Sequence, residues 1–399
     1  MITREQKEQI FKELLEALDL PDSSYERAIN RYEDLGRWFN RDESFFKDNE
    51  VHIFPQGSFM LGTTIRPINE AEEYDLDLAC KIRTGVTKQS HSQESLKGII
   101  GEELKAYRIA RNIKEDLVSK HRCWRLEYQD DISFHLDIVP CIPEEDSKQK
   151  LLLESMVKFG LEEFVAQSAS KLSVAITDDR HESFKKVCDD WNISNPEGYG
   201  KWFEHRMRKY EEQVLMEKAQ VDRVPIYKRK TPLQRCIQLL KRHRDQMFGD
   251  NESKPISIII TTLAARAYNG EKDIVSALNN ILSTMGTHVN MNSPRVPNPV
   301  NPEEDFADRW GMLEYLHLNL ERNFRNWLHQ AQIDFAHITS TNDTKFIAEQ
   351  AQLKFSLNIN PGKLAQSIRV TTAEMATVSS KQHIIIEPPK PWKDGELES

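Results

Sequence analysis

Asp75 and Asp77 stand one residue apart in Tyr74-Asp75-Leu76-Asp77-Leu78, fewer than twenty residues after the pair Gly57-Ser58. On an extended strand, two carboxylates at this spacing project side by side, about 7 Å apart at the backbone from the rise per residue. Such a pair resists ionising together unless a cation is present, and the cation suited to it is Mg²⁺ carrying a nucleoside triphosphate. The strand is legible from its alternation: Tyr74, Leu76, Leu78 and Cys80 form a row to be buried, and Asp75, Asp77 and Ala79 form the opposite row.

Asp-x-Asp on a half-exposed strand is more often solvated surface than a site, so a third acid carries the argument. Asp137, in Phe134-His135-Leu136-Asp137-Ile138-Val139, again lies opposite an apolar row. If the two strands are neighbours, three carboxylates converge, which is costly without cations and is the arrangement phosphoryl transfer uses to hold two metal ions. Gln56-Gly57-Ser58 supplies the other half of such a site. A glycine lets the backbone approach an anion, and the N–H groups after it, with the Ser58 hydroxyl, can donate to phosphate oxygens. Thr63, Thr64 and Arg66 are further donors or ordinary turn residues, and Asp130 and Asp131 read as turn residues. From Arg223 to Arg244 there are eight Lys or Arg, and a site for triphosphates has a use for such cations. Among them Lys241 is the candidate, eight residues after Leu233 and near the edge of a buried helical stripe.

The elements that must position these residues follow from periodicity. Ile10, Phe11, Leu14, Leu15 and Leu18, then Ile29, Tyr32, Leu35 and Phe39, predict two helices broken near Leu20-Pro21, the second capped by Asp22 or Ser23. Val51 to Phe54 predicts a strand feeding the Pro55-Gln56-Gly57-Ser58 turn. A helix is expected from about Leu96 to Ser119. Arg122 to Tyr128 and Ile132 to Val139 read as a hairpin about Gln129-Asp130-Asp131. Beyond Leu151 strand signals thin. Thr231-Pro232 opens a helix whose buried face holds Leu233, Cys236, Ile237, Leu240 and His243, an apolar element covers Ile256 to Tyr268, and aromatic helices pass through Trp310, Tyr315 and Trp327. The tail from Glu387 reads as extended.

Length and composition bound the rest. A chain of 399 residues with 39% hydrophobic content can build a sizeable core in two or three domains. No run of eighteen apolar residues and no apolar leader stretch is present, so a cytoplasmic protein with no membrane partner is expected. Five scattered cysteines, with no Cys-x-x-Cys, argue against a disulfide framework or structural zinc. A net charge of −9 disfavours indiscriminate duplex binding.

In their order and spacing these motifs resemble the nucleotidyltransferase fold shared by DNA polymerase beta, poly(A) polymerases and the oligoadenylate and cyclic GMP-AMP synthases. The closer resemblance is to the bacterial cGAS/DncV-like nucleotidyltransferases (CD-NTases) of anti-phage signalling. It is carried by Pro55-Gln56-Gly57-Ser58-Phe59, the Asp75/Asp77 strand, Asn195-Pro196-Glu197-Gly198-Tyr199 with Trp202-Phe203, the Leu233-to-Asp245 helix, Pro255-Ile256-Ser257-Ile258-Ile259 and Asn298-Pro299-Val300-Asn301-Pro302, over roughly residues 50 to 310. The resemblance implies an α+β fold: a polymerase-beta-like core with a mixed β-sheet (51–215), N-terminal helices bracing it (1–50), a helical nucleotide-binding lobe (216–386) and a tail (387–399). It implies two Mg²⁺ ions held by Asp75, Asp77 and Asp137, triphosphate binding by Gln56, Gly57 and Ser58, and phosphate contacts from Lys241 and Ser257. The implied reaction joins ATP, GTP, CTP or UTP into a cyclic di- or trinucleotide with release of pyrophosphate. The animal sensor's zinc insertion is absent, so no DNA activator is expected, and the Pro388-to-Ser399 tail is the candidate segment for a protein partner. Two other readings compete: a linear nucleotidyltransferase acting on RNA or a small acceptor, against which stands the lack of a separate RNA-binding module, and a catalytically silent nucleotide-binding scaffold, against which stand the intact acids.

Overall fold

A computed structural model of the chain describes residues 2–69, 74–128, 134–215 and 230–368, without the side chains of 209–215. Glu73, the Gln129-Asp130-Asp131 turn, most of the basic run before Lys230 and the tail from Glu387 lie outside the described residues. The chain divides into two compact units. A sheet unit spans Leu20–His205 with Pro299–Pro302, and a helical unit takes the chain up to Asp19, Arg206–Asn298 and the chain from Glu303. Among the described residues no helix is long and apolar enough to cross a membrane. Cys80, Cys141 and Cys236 are buried free thiols and Cys123 and Cys188 are partly exposed ones, in keeping with the scattered spacing.

The N-terminal helices are α1 (Arg4–Leu18) and α2 (Asp22–Phe39), separated where expected. Two details differ from the sequence reading. Neither Asp22 nor Ser23 caps α2; Pro21 is the N-cap, no side chain caps the helix, and Asp22 lies in its first turn, where its charge suits the helix dipole. The two helices also fall in different units, α1 in the helical unit and α2 in the sheet unit.

In the sheet unit the elements after α2 are β1 (Val51–Pro55), the single turn α3 (Gly57–Met60), β2 (Tyr74–Ile82), α4 (Gln93–Ala110), β3 (Val118–Ser119), β4 (Trp124–Tyr128) and β5 (Phe134–Pro143). Then come α5 (Asp146–Lys158), α6 (Glu163–Ser170), β6 (Val174–Ile176), β7 (Asn192–Ser194) and α7 (Pro196–Leu215), within which the unit boundary falls. The sheet is mixed, in the order β1-β2-β5-β4-β3, with β6 paired to the far end of β5 and β7 to β6. Among the described strands of this sheet only the β2–β5 pair is parallel; the others are antiparallel. One face of the sheet is buried: Leu76, Leu78, Cys80, Leu126, Leu136 and Ile138 pack with Ala28, Leu35 and Phe39 of α2 and Leu96, Ile100 and Leu104 of α4. Burial of a side chain of this kind stabilises by about 1.5–3 kcal/mol, so this layer holds the strands whose other face must carry charge.

α4 starts earlier than expected, where Ser92 accepts from the Ser95 N–H, and ends at Ala110 rather than near Ser119. Arg111 donates from Nε and Nη2 to both Asp34 oxygens, at 2.7 and 2.9 Å, and Asn112 turns left-handed at φ 51°. That fork to α2 outweighs the helical pattern that continues through Ile113 and Leu117.

The helical unit contains α1, α8 (Pro232–Phe248), α9 (Ser257–Ala267), α10 (Ile274–Thr284), α11 (Leu320–Ile338), α12 (Thr344–Phe355) and α13 (Pro361–Ser367). α8 opens on the expected Thr231-Pro232, with a capping box between Thr231 and Gln234. Of the expected aromatic helices, Trp327 lies on α11, whereas Trp310 and Tyr315 lie on short 3-10 turns. At the end of α1, Asp19 receives Lys230 at 2.5 Å and Arg235 at 2.6 Å, and the Lys230 side chain is fully buried. Burial works to raise the Asp19 carboxyl, but Lys230 and Arg235 hold it below its ordinary value. Asp19→Ala removes the carboxylate that Lys230 and Arg235 share and is expected to cost about 3 kcal/mol, read as a lower urea midpoint at unchanged slope. Because the folded carboxyl is the stronger acid, the wild-type advantage is complete above about pH 4 and fades as pH falls below it.

Candidate active site

β2 and β5 are adjacent and parallel, and their register sets Asp77 directly beside Asp137 and Asp75 beside His135. β4 extends each row from the other side, with Arg125 opposite Asp137 and Glu127 opposite His135. The face of the sheet opposite the core therefore carries two cross-strand rows, Asp75-His135-Glu127 and Asp77-Asp137-Arg125. Their apolar neighbours in sequence (Leu76, Leu126, Leu136, Ile138) are all buried, and this fixes which face the polar residues take, since a slip of one residue would invert every side chain.

The Gly-Ser turn is fastened to the same strand. The Gln56 N–H donates to the Asp77 carbonyl at 2.8 Å and its side-chain amide to the Leu78 carbonyl at 3.2 Å, so Gln56 serves to hold the turn on β2. Gly57 then adopts φ 59°, a left-handed conformation, and a Cβ there would stand 2.5 Å from Asp77 Oδ2. The bare glycine backbone thus lies against the central carboxylate. Ser58 follows in α3, its carbonyl accepting the Thr63 N–H at 2.9 Å and its hydroxyl the Thr64 hydroxyl at 3.2 Å. Thr63 and Thr64 are buried, which makes them internal supports of the turn.

Electrostatics divides the acids. Asp75 is 69% exposed. Asp137 is 20% exposed and receives a two-pronged contact from Arg125, Nε to Oδ1 at 2.7 Å and Nη2 to Oδ2 at 2.6 Å. Hydrogen bonding to Asp137 raises the Arg125 pKa further, with Asp75 adding to it. Burial, then Asp137, pushes the nearby Cys123 thiol up to about 11. His135 stands 3.6 Å from Asp75 and 3.9 Å from Glu127, beyond good hydrogen-bond length for either pair. Among the described residues, no three acidic, His or Cys side chains stand close enough together to hold an ion as arranged. The donor set nonetheless fits one: Asp75, Asp77 and Asp137 offer hard oxygen ligands of the kind Mg²⁺ takes, beside a glycine turn with room for an anion.

Lys241 and Ser257 belong to the helical unit. Lys241 is 6% exposed on α8, and Ser257 opens α9 with its hydroxyl accepting from Arg244 at 2.9 Å. Sequence reasoning passed over Arg125, His135 and Glu127. A hairpin about Gln129-Asp130-Asp131 makes the two strands antiparallel neighbours, but the register that sets 125 opposite 137 and 127 opposite 135 came only with the structure.

A mixed sheet with aspartates on two adjacent strands and a glycine turn against Asp77 is the arrangement expected of a nucleotidyltransferase. Residues 51–140, the segment holding all these groups, match the family described as cyclic GMP-AMP synthase DncV-like, nucleotidyltransferase domain. A c-di-GMP synthase of Roseivirga ehrenbergii is 33% identical over 312 residues, 76% of this chain and 73% of that protein. The cyclic dinucleotide synthase CdnG of Bradyrhizobium diazoefficiens is 24% identical over 325 residues, 75% of this chain and 69% of that one. The chain belongs to the DncV-like nucleotidyltransferases, the CD-NTase family of cyclic dinucleotide synthases. Solved structures share the fold: CdnG in complex with GTP aligns over 91% of this chain and 98% of its own at a TM-score of 0.62 and 21% identity. A Vibrio cholerae DncV variant with ATP and GTP aligns over 90% and 97% at 0.58 and 13%.

Proposed function

We propose that this chain joins two molecules of GTP into a cyclic dinucleotide, with Asp75, Asp77 and Asp137 as its catalytic acids and Mg²⁺ as its cofactor. The observation that carries the reading is the in-register pair Asp77–Asp137, with the Gly57 backbone packed on Asp77. The choice of GTP follows the relative that makes c-di-GMP. When bound, a pair of Mg²⁺ ions supplies charge to the entering and leaving oxygens. Asp75 and Asp77 hold that charge beside the triphosphate, and Ser58 with the N–H groups of its turn binds the phosphate oxygens. Asp137 serves the attacking ribose hydroxyl and helps to remove its proton. The hydroxyl oxygen bonds to the α-phosphorus of the second nucleotide as the bond to pyrophosphate breaks, once for each of the two linkages.

The test incubates the protein with Mg²⁺ and labelled GTP, alone and with each other triphosphate, and treats the products with phosphatase. The expected product resists phosphatase, co-migrates with c-di-GMP and disappears with EDTA. A product that phosphatase degrades would place the chain with linear transferases, and a resistant product that forms only with a second base would overturn the choice of GTP alone.

A further inference from the structure

The two-pronged hold of Arg125 on Asp137 is not required by the fold. The strands are already registered by their backbone ladder and by the buried Leu126–Leu136 pair, and the guanidinium lies on the face opposite the core. Its effect is on the acid. Both Asp137 oxygens are engaged, at 2.7 and 2.6 Å, in the planar fork that arginine makes with a carboxylate. In the six positions of the two rows, Arg125 is the only permanent cation against Asp75, Asp77, Asp137 and Glu127. It therefore supplies the neutralisation that a metal ion would otherwise provide.

We propose that Arg125 is a positioning residue that competes with divalent cation for Asp137, an internal counter-ion that metal must displace before the third acid becomes a ligand. The inference rests on the assignment of Asp137 as a metal ligand. Arg125 and Asp137 are 23% and 20% exposed, so the pair is partly solvated and the long side chain has water to move into. Replacing one partner of Asp137 by another is then far cheaper than breaking a sealed pair. The Arg125 fork is spent on the two Asp137 oxygens, so the competition falls on Asp137.

The test is a Mn²⁺ titration of the full-length, nucleotide-free protein, with free ion followed by its paramagnetic resonance signal. Wild type is compared with Arg125→Gln, Arg125→Lys and Asp137→Asn. Arg125→Gln is expected to tighten Mn²⁺ binding roughly tenfold, the scale on which neighbours of ligands tune affinity. Removing any positive charge would tighten binding somewhat, and Arg125→Lys separates the causes. Lysine keeps the charge and loses the fork, so competition for the oxygens predicts binding tighter than wild type by roughly threefold or more. A Lys variant that binds Mn²⁺ as wild type does overturns the proposal and leaves a charge effect only. Arg125→Lys also decides the matter if Arg125→Gln does not fold. If Asp137→Asn binds Mn²⁺ as well as wild type, it is the assignment of Asp137 as a metal ligand that fails; if Asp137→Asn weakens binding and Arg125→Lys changes nothing, the failure belongs to Arg125 alone.

Discussion

Asp77→Asn is expected to abolish cyclic product while leaving the chain folded. Asp77 is the central acid: Asp137 stands beside it across the parallel pair, and Gly57 lies against its Oδ2. Asparagine keeps its size and removes its charge, so the turn still packs and the acids repel one another less. Unfolding by heat should shift little, or upward. Activity depends on charge held where pyrophosphate departs, a contribution of several kcal/mol, so the rate should fall by about a thousandfold or more at tenfold per 1.36 kcal/mol. The comparison is kcat for phosphatase-resistant product against the thermal midpoint of the same preparations. A variant that keeps a tenth of wild-type activity would remove Asp77 from the catalytic set.

Gly57→Ala should be nearly as damaging by a different route. At φ 59° an L-residue costs about 1–2 kcal/mol, and the added methyl would stand 2.5 Å from Asp77 Oδ2, a separation that real Cβ atoms do not show. Either the turn or the carboxylate must move, and a misplacement of about 1 Å in such a site costs roughly a hundredfold in rate. Gly160→Ala is the matched control, since Gly160 also has positive φ, at 91°, but a Cβ there meets nothing within 4 Å. Both variants should lose comparable stability, and only Gly57→Ala should lose product formation. Equal activity in the two would mean that the close approach of Gly57 to Asp77 is packing without consequence for the reaction.

The face of the three candidate aspartates is readable in the sequence, because alternation on a half-buried strand assigns a face to every side chain. Asp75, Asp77 and Asp137 each sit between apolar neighbours that the core claims, so their common face followed from the pattern. Elements set by tertiary contacts were not readable. The end of α4 is decided by the Arg111 fork to Asp34, a residue 77 positions away, against a local pattern that continues the helix. β6 and β7 have three residues each, too few for a period of two to declare itself. The unit each N-terminal helix joins was not readable either, because the break at Leu20-Pro21, plain in the sequence, says nothing about which core each helix packs on; Phe11 of α1 meets Phe335 of α11, with ring centroids 6.1 Å apart.

The sequence by itself determined the family, the mixed α+β plan and the sheet face that the three aspartates share, because strand periodicity and motif order are local properties that survive without coordinates. Only the tertiary structure decided that β2 and β5 are neighbours, that Gly57 rests on Asp77 and that Arg125 holds Asp137 by both oxygens. Pairing between strands is a choice among distant segments, settled by the whole buried face at once, and no window of residues contains it.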